Sequence, residues 1–299
     1  MSTTSEQRQE IQPVTLEPGI YSGISNSQYH ADKESYSSSI IKLMGVPAEA
    51  KYAMDNPNEF KEAYRIGSAI HKFILEPDDF AAEFLTGIDC ARRSKADKQA
   101  WADWYSEHGA DGDNVVDRPA AEWNGMFVAQ TSKHMVTPEE IQNIGLMAES
   151  VKSNPNAVQL LEDGLSEQSI YWVDKETGLR LRVRPDYLND DFTSDLKSID
   201  SLHDYAIDRA IANLSYDIQE QMYSDGVMNV TGEYRPFLFI FIQKKPPFMV
   251  RVIGLSEACK TRGWEKYRAN VNTLSKCLES NEWYGLPDDL NHQLFQKTW

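Results

Sequence analysis

An α/β fold with its helices gathered in the N-terminal half is what this chain predicts, on three observations. Apolar residues recur at spacings of three and four through residues 60–75 and again through 138–152, the period of amphipathic helices. The texture changes at Glu167, where short β-rich runs separated by turn residues begin. Residues 237–242, Phe-Leu-Phe-Ile-Phe-Ile, form an unbroken apolar run, as in a strand covered on both faces. The resulting order, helices and then β-β-β-α-β-β-α, gives an α/β core with a helical N-terminal elaboration.

In order along the chain, residues 17–21 read as a short strand or turn. Ser35 to Ser39 offer N-caps for a helix over 38–43, which Gly45-Val46-Pro47 ends, and Pro47 opens another running toward Met54. The helix over 60–75 turns Ala63, Ile66, Ile70, Phe73 and Ile74 to one side and stops before Glu76-Pro77. Residues 86–135 are irregular in pattern and hold the basic cluster Arg92-Arg93-Ser94-Lys95. Helical spacing resumes over 138–152 and 155–161. Residues 169–173 are a strand and Lys175 to Gly178 a turn. Over 179–188, Leu179, Leu181 and Val183 alternate with Arg180, Arg182 and Arg184, which reads as one strand with an apolar and a basic face. A turn at Asn189 to Asp191 leads to a third strand, 192–198, and then to a helical segment over about 202–228. Strand 237–242 pairs with 248–253 across Lys244-Lys245-Pro246-Pro247, and a long helix over 256–278 closes the fold.

The chain has 299 residues, 41% hydrophobic and 25% charged, enough for one large domain or two small ones. The reading is a loose polar tail over 1–14, without the apolar stretch of a signal peptide, and a single domain over 15–299. Within it the helical part runs to about 150 and the core spans about 165–280. No apolar run is long enough to span a membrane. Cys90, Cys259 and Cys277 lack paired spacing, so neither disulfides nor zinc are expected, and a reducing cytoplasm is the simplest setting. The formal charge of −16 argues against a protein that coats DNA non-specifically. It leaves room for an enzyme with a local basic track, since a metal site itself adds carboxylates.

Chemistry concentrates at Arg184-Pro185-Asp186 and Asp195-Leu196-Lys197. On a strand, residues 195 and 197 share a face about 7 Å apart, and a hairpin at 189–191 would lay Asp186 beside them. Two carboxylates, with the Leu196 carbonyl, suit a hard cation such as Mg²⁺, and a lysine can orient or deprotonate a water or stabilise transition-state charge. This is the PD-(D/E)xK pattern. Alone it is weak: Asp186 can simply end a strand, and Asp195 with Lys197 can be an ion pair. Gln219 and Tyr223, four apart, share one helical face. His71 lies in an amphipathic helix, where an imidazole is as readily structural. Glu167 is a further acid, or an exposed residue in a polar turn.

The order GxxxH (Gly67 to His71), Glu167, Pro185-Asp186, Asp195-x-Lys197 and Gln219-xxx-Tyr223 resembles the RecB-like set of the PD-(D/E)xK superfamily. More closely, the chain resembles the RecE-type (exonuclease VIII) nucleases. The likeness is carried by Glu17 to Tyr21, Ile24-Ser25-Asn26, Tyr29-His30, Leu75-Glu76-Pro77, Arg92-Arg93-Ser94, Ser169 to Trp172 and Tyr223 to Gly226, besides the motifs above. It implies a restriction-endonuclease-like core, a mixed central sheet flanked by helices. It also implies Mg²⁺, with Mn²⁺ able to substitute, held by Asp186, Asp195 and Leu196 with His71 beside them. Lys197 would be the catalytic lysine, and Gln219 and Tyr223 would support the site. Arg92, Arg93, Lys98 and Arg184 would touch DNA. The activity implied is processive 5′ to 3′ digestion of double-stranded DNA ends, leaving a 3′ strand for a single-strand annealing protein. A homo-oligomeric ring, trimer or tetramer, encoded by phage or prophage and acting in the bacterial cytoplasm without a membrane, completes the expectation. Having Asp195 where the superfamily more often has Glu is a departure that RecE-type enzymes share.

Three other readings stand beside it: a nuclease that prefers single strands or cuts internally, a non-catalytic DNA-end-binding recombination protein, and an acidic DNA mimic. Among smaller features, Lys244-Lys245 grip a phosphate or sit at a solvated hairpin tip. The arginines over 180–184 line a DNA path or pair with the acidic chain. Trp101, Trp104 and Tyr105 stack on bases or pack a core.

Overall fold

The structure, a computed structural model, describes residues 16–56, 62–88, 94–108 and 134–287. Two mixed sheets form its centre, one of five strands and one of four. The five-stranded sheet runs in the order Val250–Ile253, Phe237–Gln243, Thr193–Ile199, Tyr187–Asn189, Gly164–Ser166. Its Thr193–Ile199 and Phe237–Gln243 strands are parallel, and its other pairs are antiparallel.

Alternation along 237–242 explains the unbroken apolar run. Phe237, Phe239 and Phe241 point to one face, where Leu202, Ile207, Ile211 and Leu255 cover them. Ile240 and Ile242 point to the other, with Leu196, against Ala69, Ile70, Ile144 and Met147 of helices Glu62–Leu75 and Pro138–Lys152. Phe239, Ile240, Phe241 and Ile242 have no exposed surface. Each contributes roughly 1.5–3 kcal/mol of burial, so this strand is the rigid wall against which its neighbour Thr193–Ile199 is aligned.

The second sheet runs Gly19–Tyr21, Ser169–Val173, Arg180–Val183, Tyr36–Ser37. Its Ile170, Trp172, Leu181 and Val183 pack on Met222 and Val227 of helix Tyr216–Thr231, with Ile41, Met44, Tyr267 and Val271 completing the layer. The helix comes this close because residue 226 is glycine: a Cβ there would lie 2.7 Å from the Trp172 ring. Tyr216–Thr231 thereby touches both sheets.

The predicted helices over 38–43, 47–54, 60–75, 138–152, 155–161 and 256–278 are present within a few residues, as are the strands at 169–173 and 237–242. Two expectations are corrected. The single strand over 179–188 is two strands, Arg180–Val183 and Tyr187–Asn189, in different sheets. Pro185 has no N–H to donate and holds Arg184 out of helical geometry, so the chain crosses between sheets there. The helix over 202–228 is likewise two, Asp204–Leu214 and Tyr216–Thr231, parted at Ser215 in the left-handed region (φ 51°). The region 86–135 also holds more structure than its pattern shows. Helix Lys95–His108 lies there, and Phe84–Thr86 pairs in parallel with His134–Val136. Trp104 is buried against Leu85, Ile88 and Met135, which decides for core packing over base stacking. Among the described residues no helix is long and apolar enough to cross a membrane.

Candidate active site

The crossing at Pro185 fixes the site. Asp186 stands one residue before strand Tyr187–Asn189, which pairs antiparallel with Thr193–Ile199, Tyr187 opposite Ser194. The turn between them closes on Asn189, whose side chain accepts the N–H groups of Asp191 (3.0 Å) and Phe192 (2.7 Å). The expected hairpin therefore exists and lays Asp186 against the Asp195 strand. Asp186 Oδ2 accepts the Leu196 N–H at 2.6 Å and lies 3.3 Å from His71 Nδ1. Leu196 donates its backbone N–H to Asp186, and its side chain is in the core.

Parallel register sets Asp195 beside Phe239 and Lys197 beside Phe241, so both motif residues rise from the face that the start of helix Tyr216–Thr231 covers. Asp195 Oδ1 accepts Gln219 Nε2 at 2.7 Å, and Oδ2 is ion-paired with Lys197. The Lys197 ammonium stands 5.0 Å from the centre of the Tyr216 ring. Tyr223, one turn beyond Gln219, packs edge-on against Phe237 at 5.6 Å. Glu167 adopts φ 52° and donates its N–H to the Asp186 carbonyl at 3.1 Å, which brings its carboxylate to the rim of the site. Asp186, Asp195, Lys197, His71, Gln219 and Glu167 are thus gathered by the fold, with Tyr223 alongside.

Lys42 and Tyr216 went unnoticed in the sequence. Lys42 donates to Gln219 Oε1 at 2.8 Å from helix Ser38–Leu43, about 150 residues before the motif strand. No spacing rule links the two, and only the packing of that helix on Tyr216–Thr231 does. Tyr216 is the aromatic floor under both lysines, 5.6 Å from the Lys42 ammonium.

The basic residues fare differently. Arg184 points inward. Its guanidinium donates to Ser169 Oγ, the Ile24 carbonyl and Asn26 Oδ1 and stacks 4.1 Å over the Tyr29 ring. Its assignment as a DNA contact is corrected to a tie between the segment around residues 24–29 and the sheet. Arg182 is tied likewise, to Asp32 and Ser35, so the expected basic strand face is a covered one. Arg92, Arg93 and the Lys98 side chain lie outside the described residues. Lys244 pairs with Asp200 at 3.2 Å, as at a solvated hairpin.

Burial and neighbouring charge act together on the titratable groups of the site. Burial and the charge of Asp186 push Asp195 above the usual carboxylate range. Burial and Asp186 also push Glu167 up to about 8. Burial alone would raise Asp186, but His71 and Lys197 outweigh it and hold it low. His71 is lowered by burial and raised more by Asp186. Burial would strip Lys197 of its proton, yet Asp195 and Asp186 keep the ammonium charged. For Tyr223, burial and Asp195 keep the phenol protonated.

Among the described residues no group of three or more His, Cys, Asp and Glu side chains stands ready-made as a metal cage. The donors nevertheless fit a hard divalent cation. Two carboxylates meet across one hairpin, and a third is at the rim. Among the described residues Asp195 Oδ2 has no hydrogen bond, only its ion pair, so Lys197 takes up an oxygen that a cation would use. A cleft of about 530 Å³ near the ends of the central strands, lined by Asn154, His203, Gln243 and Arg251 among others, includes none of these groups.

Fold and motif define a member of the PD-(D/E)xK nuclease superfamily. The chain belongs to the family described as a PDDEXK-like domain of unknown function (DUF3799), whose model matches residues 37–288. Nucleases of the PDDEXK type generally use divalent metals. A search of curated proteins returns no match. Among solved structures, the chain is similar in fold to a protein of Eubacterium rectale described as a "putative exonuclease". The two are 14% identical with a TM-score of 0.55, over 91% of this chain and 98% of the other.

Proposed function

We propose that this protein is a Mg²⁺-dependent deoxyribonuclease that degrades double-stranded DNA from an end, processively and 5′ to 3′, leaving a 3′ single strand. The observation that carries the nuclease reading is the meeting of Asp186, Asp195 and Lys197 across the hairpin, braced by His71 and Gln219. Asp186 and Asp195, with the Leu196 carbonyl and His71 beside them and Glu167 at the rim, would hold the cation, and Mn²⁺ would substitute. When bound, the cation supplies Lewis-acid polarisation of the phosphate and a more acidic water. His71 fixes the direction of the Asp186 carboxylate. Gln219 fixes that of Asp195. Lys197, holding its proton, places positive charge where the phosphoryl oxygens gain charge in the transition state. Tyr223 walls the site beside Gln219.

Attack from an end, the annealing-protein partner, the ring of three or four subunits and the phage or prophage setting rest on the RecE-type resemblance. The exonuclease description of the similarly folded Eubacterium rectale protein agrees with end-directed cutting. A ring with a basic channel would also reconcile DNA binding with a net charge of −16.

The test is digestion of linear duplex DNA labelled at one 5′ end, beside a closed circle of the same sequence, with Mg²⁺ and with EDTA. Mg²⁺-dependent loss of the linear form alone, with early release of the 5′ label, is expected. Nicking of the circle would make the enzyme an endonuclease. DNA binding without cleavage of either form would overturn the catalytic reading.

A further inference from the structure

We propose that Lys42 is a positioning residue of this site, which acts through the Gln219 amide to hold its NH₂ on Oδ1 of Asp195 and so to orient that carboxylate. The three groups form one line: Lys42 Nζ to Gln219 Oε1 at 2.8 Å, then Gln219 Nε2 to Asp195 Oδ1 at 2.7 Å. An amide side chain reads the same from either end until its partners are known. Here the partners are opposite in kind. Burial and the charge of Lys197 lower Lys42 to about 7, against the pull of Asp195 and Asp217; in its charged form it has three donors and no acceptor, whereas an ionised carboxylate only accepts. Gln219 therefore has one satisfactory orientation, carbonyl toward Lys42 and NH₂ toward Asp195. That NH₂ occupies Oδ1 and leaves Oδ2, which faces Lys197.

The helix that carries Lys42 is built to hold it still. Ser38–Leu43 is short, but Ile41 is fully buried and Met44, just beyond, nearly so. Asn270 of the C-terminal helix donates to the Ile41 carbonyl at 2.7 Å, which fixes the turn from which Lys42 extends. A surface lysine needs no such anchoring.

The functional consequence rests on the reading of Asp195 as a metal ligand. Partners in the outer shell that orient a ligand typically govern metal affinity by factors of about 10 to 100. A second account makes the opposite prediction. If Lys42 acted only as a positive charge near the site, it would repel a cation, and its removal would tighten metal binding. The sign of the effect separates the two.

The test uses the full chain and its Lys42→Met, Lys42→Arg, Gln219→Leu and Lys42→Met/Gln219→Leu variants. Mg²⁺ affinity is measured by calorimetry, and hydrogen exchange of the Gln219 side-chain amide by NMR. Lys42→Met is expected to weaken Mg²⁺ binding about tenfold and to speed exchange of the Gln219 amide protons by a similar factor. Lys42→Arg, which keeps the donor, is expected to restore most of both. The double variant is expected to bind Mg²⁺ no more weakly than the worse single one, because both changes break the same line. If Lys42→Met does not fold, Lys42→Gln replaces it with the same expectations, since an amide there can present either end to Gln219. Mg²⁺ binding as tight as the parent or tighter, or a Gln219 amide still protected without Lys42, overturns the proposal. A parent chain that binds Mg²⁺ but cuts no DNA would sink the nuclease reading and leave this one standing. If the parent binds no Mg²⁺, the metal-site reading fails and the amide exchange alone decides the role of Lys42.

Discussion

Replacing Arg184 by alanine separates a structural arginine from a DNA contact. The residue is 9% exposed and uses its donors internally: Nε and Nη2 reach Ser169 Oγ at 2.9 and 2.7 Å, Nη2 the Ile24 carbonyl at 3.0 Å, and Nη1 Asn26 Oδ1 at 3.2 Å. Charged hydrogen bonds contribute about 1.5–3 kcal/mol each, and a desolvated cation over an aromatic ring about 2 kcal/mol. Desolvation of the guanidinium offsets much of that sum, so the net loss is about 3–4 kcal/mol, in the range seen when one partner of a buried charged network is removed. At about 2–4 °C per kcal/mol for a large domain, the variant should melt roughly 6–16 °C lower. Thermal and urea unfolding of Arg184→Ala measure this directly. DNA binding by the surviving folded fraction should keep the parent's salt dependence. A variant that melts with the parent, yet binds DNA less tightly and with a salt slope reduced by about one, would refute the inward assignment.

Other outcomes follow from the same geometry. Lys197→Ala should fold and bind DNA but cleave it slower by a factor of about 10²–10⁴, and unchanged turnover would remove Lys197 from the site. Asp195→Ala should weaken Mg²⁺ binding in a calorimetric titration, a result that an unaltered isotherm would exclude. Gly226→Ala puts a methyl group 2.7 Å from the Trp172 ring and should destabilise by about 1–3 kcal/mol through overpacking, read as a lower urea midpoint. Glu220 is fully buried on helix Tyr216–Thr231, and among the described residues neither carboxylate oxygen has a hydrogen bond; the Lys260 ammonium is 3.9 Å away. Burial pushes it from its usual 4.5 to about 7, against the pull of Lys260 and with the push of Glu257 and Asp217. A carboxylate raised in this way is easier to ionise in the unfolded chain. Its contribution to stability therefore falls as pH rises from about 4.5 to about 7 and stays low above that. Glu220→Gln should melt higher than the parent at pH 8 and lose that advantage at pH 5; the same difference at both values would count against the assignment.

What the sequence showed and hid follows a physical line. Features set by short-range chemistry were legible. The helix over 38–43 starts at Ser37 without a side-chain capping hydrogen bond, but the helix opened by Pro47, the helical period of 138–152 and the two-faced strand at 237–242 all reappear. So does the hairpin that unites Asp186 with Asp195, because its turn is closed by one asparagine. Features set by long-range packing were not. The alternation of arginines over 180–184 reads as a basic face, for DNA or for ion pairs, since nothing in those residues says that Tyr29 and Asp32, some 150 residues earlier, cover it. Lys42 escaped for the same reason. The break at Ser215 carries no glycine or proline to announce it, as a serine there takes the left-handed conformation directly.

The parallel pairing of Thr193–Ile199 with Phe237–Gln243 bears on when the site can exist during synthesis. Asp186 and Asp195 leave the ribosome nine residues apart and can form their hairpin at once. The wall behind Asp195 is Phe239, made 44 residues later, and Gln219 lies on the intervening helix. Pairing across so long a connection carries a loop-closure penalty and comes late. A nascent or truncated chain ending before residue 237 would thus hold every motif residue and lack the strand that aligns them. Synthesis itself would then act as a safety interval, with the chemistry withheld until strand Phe237–Gln243 has been made.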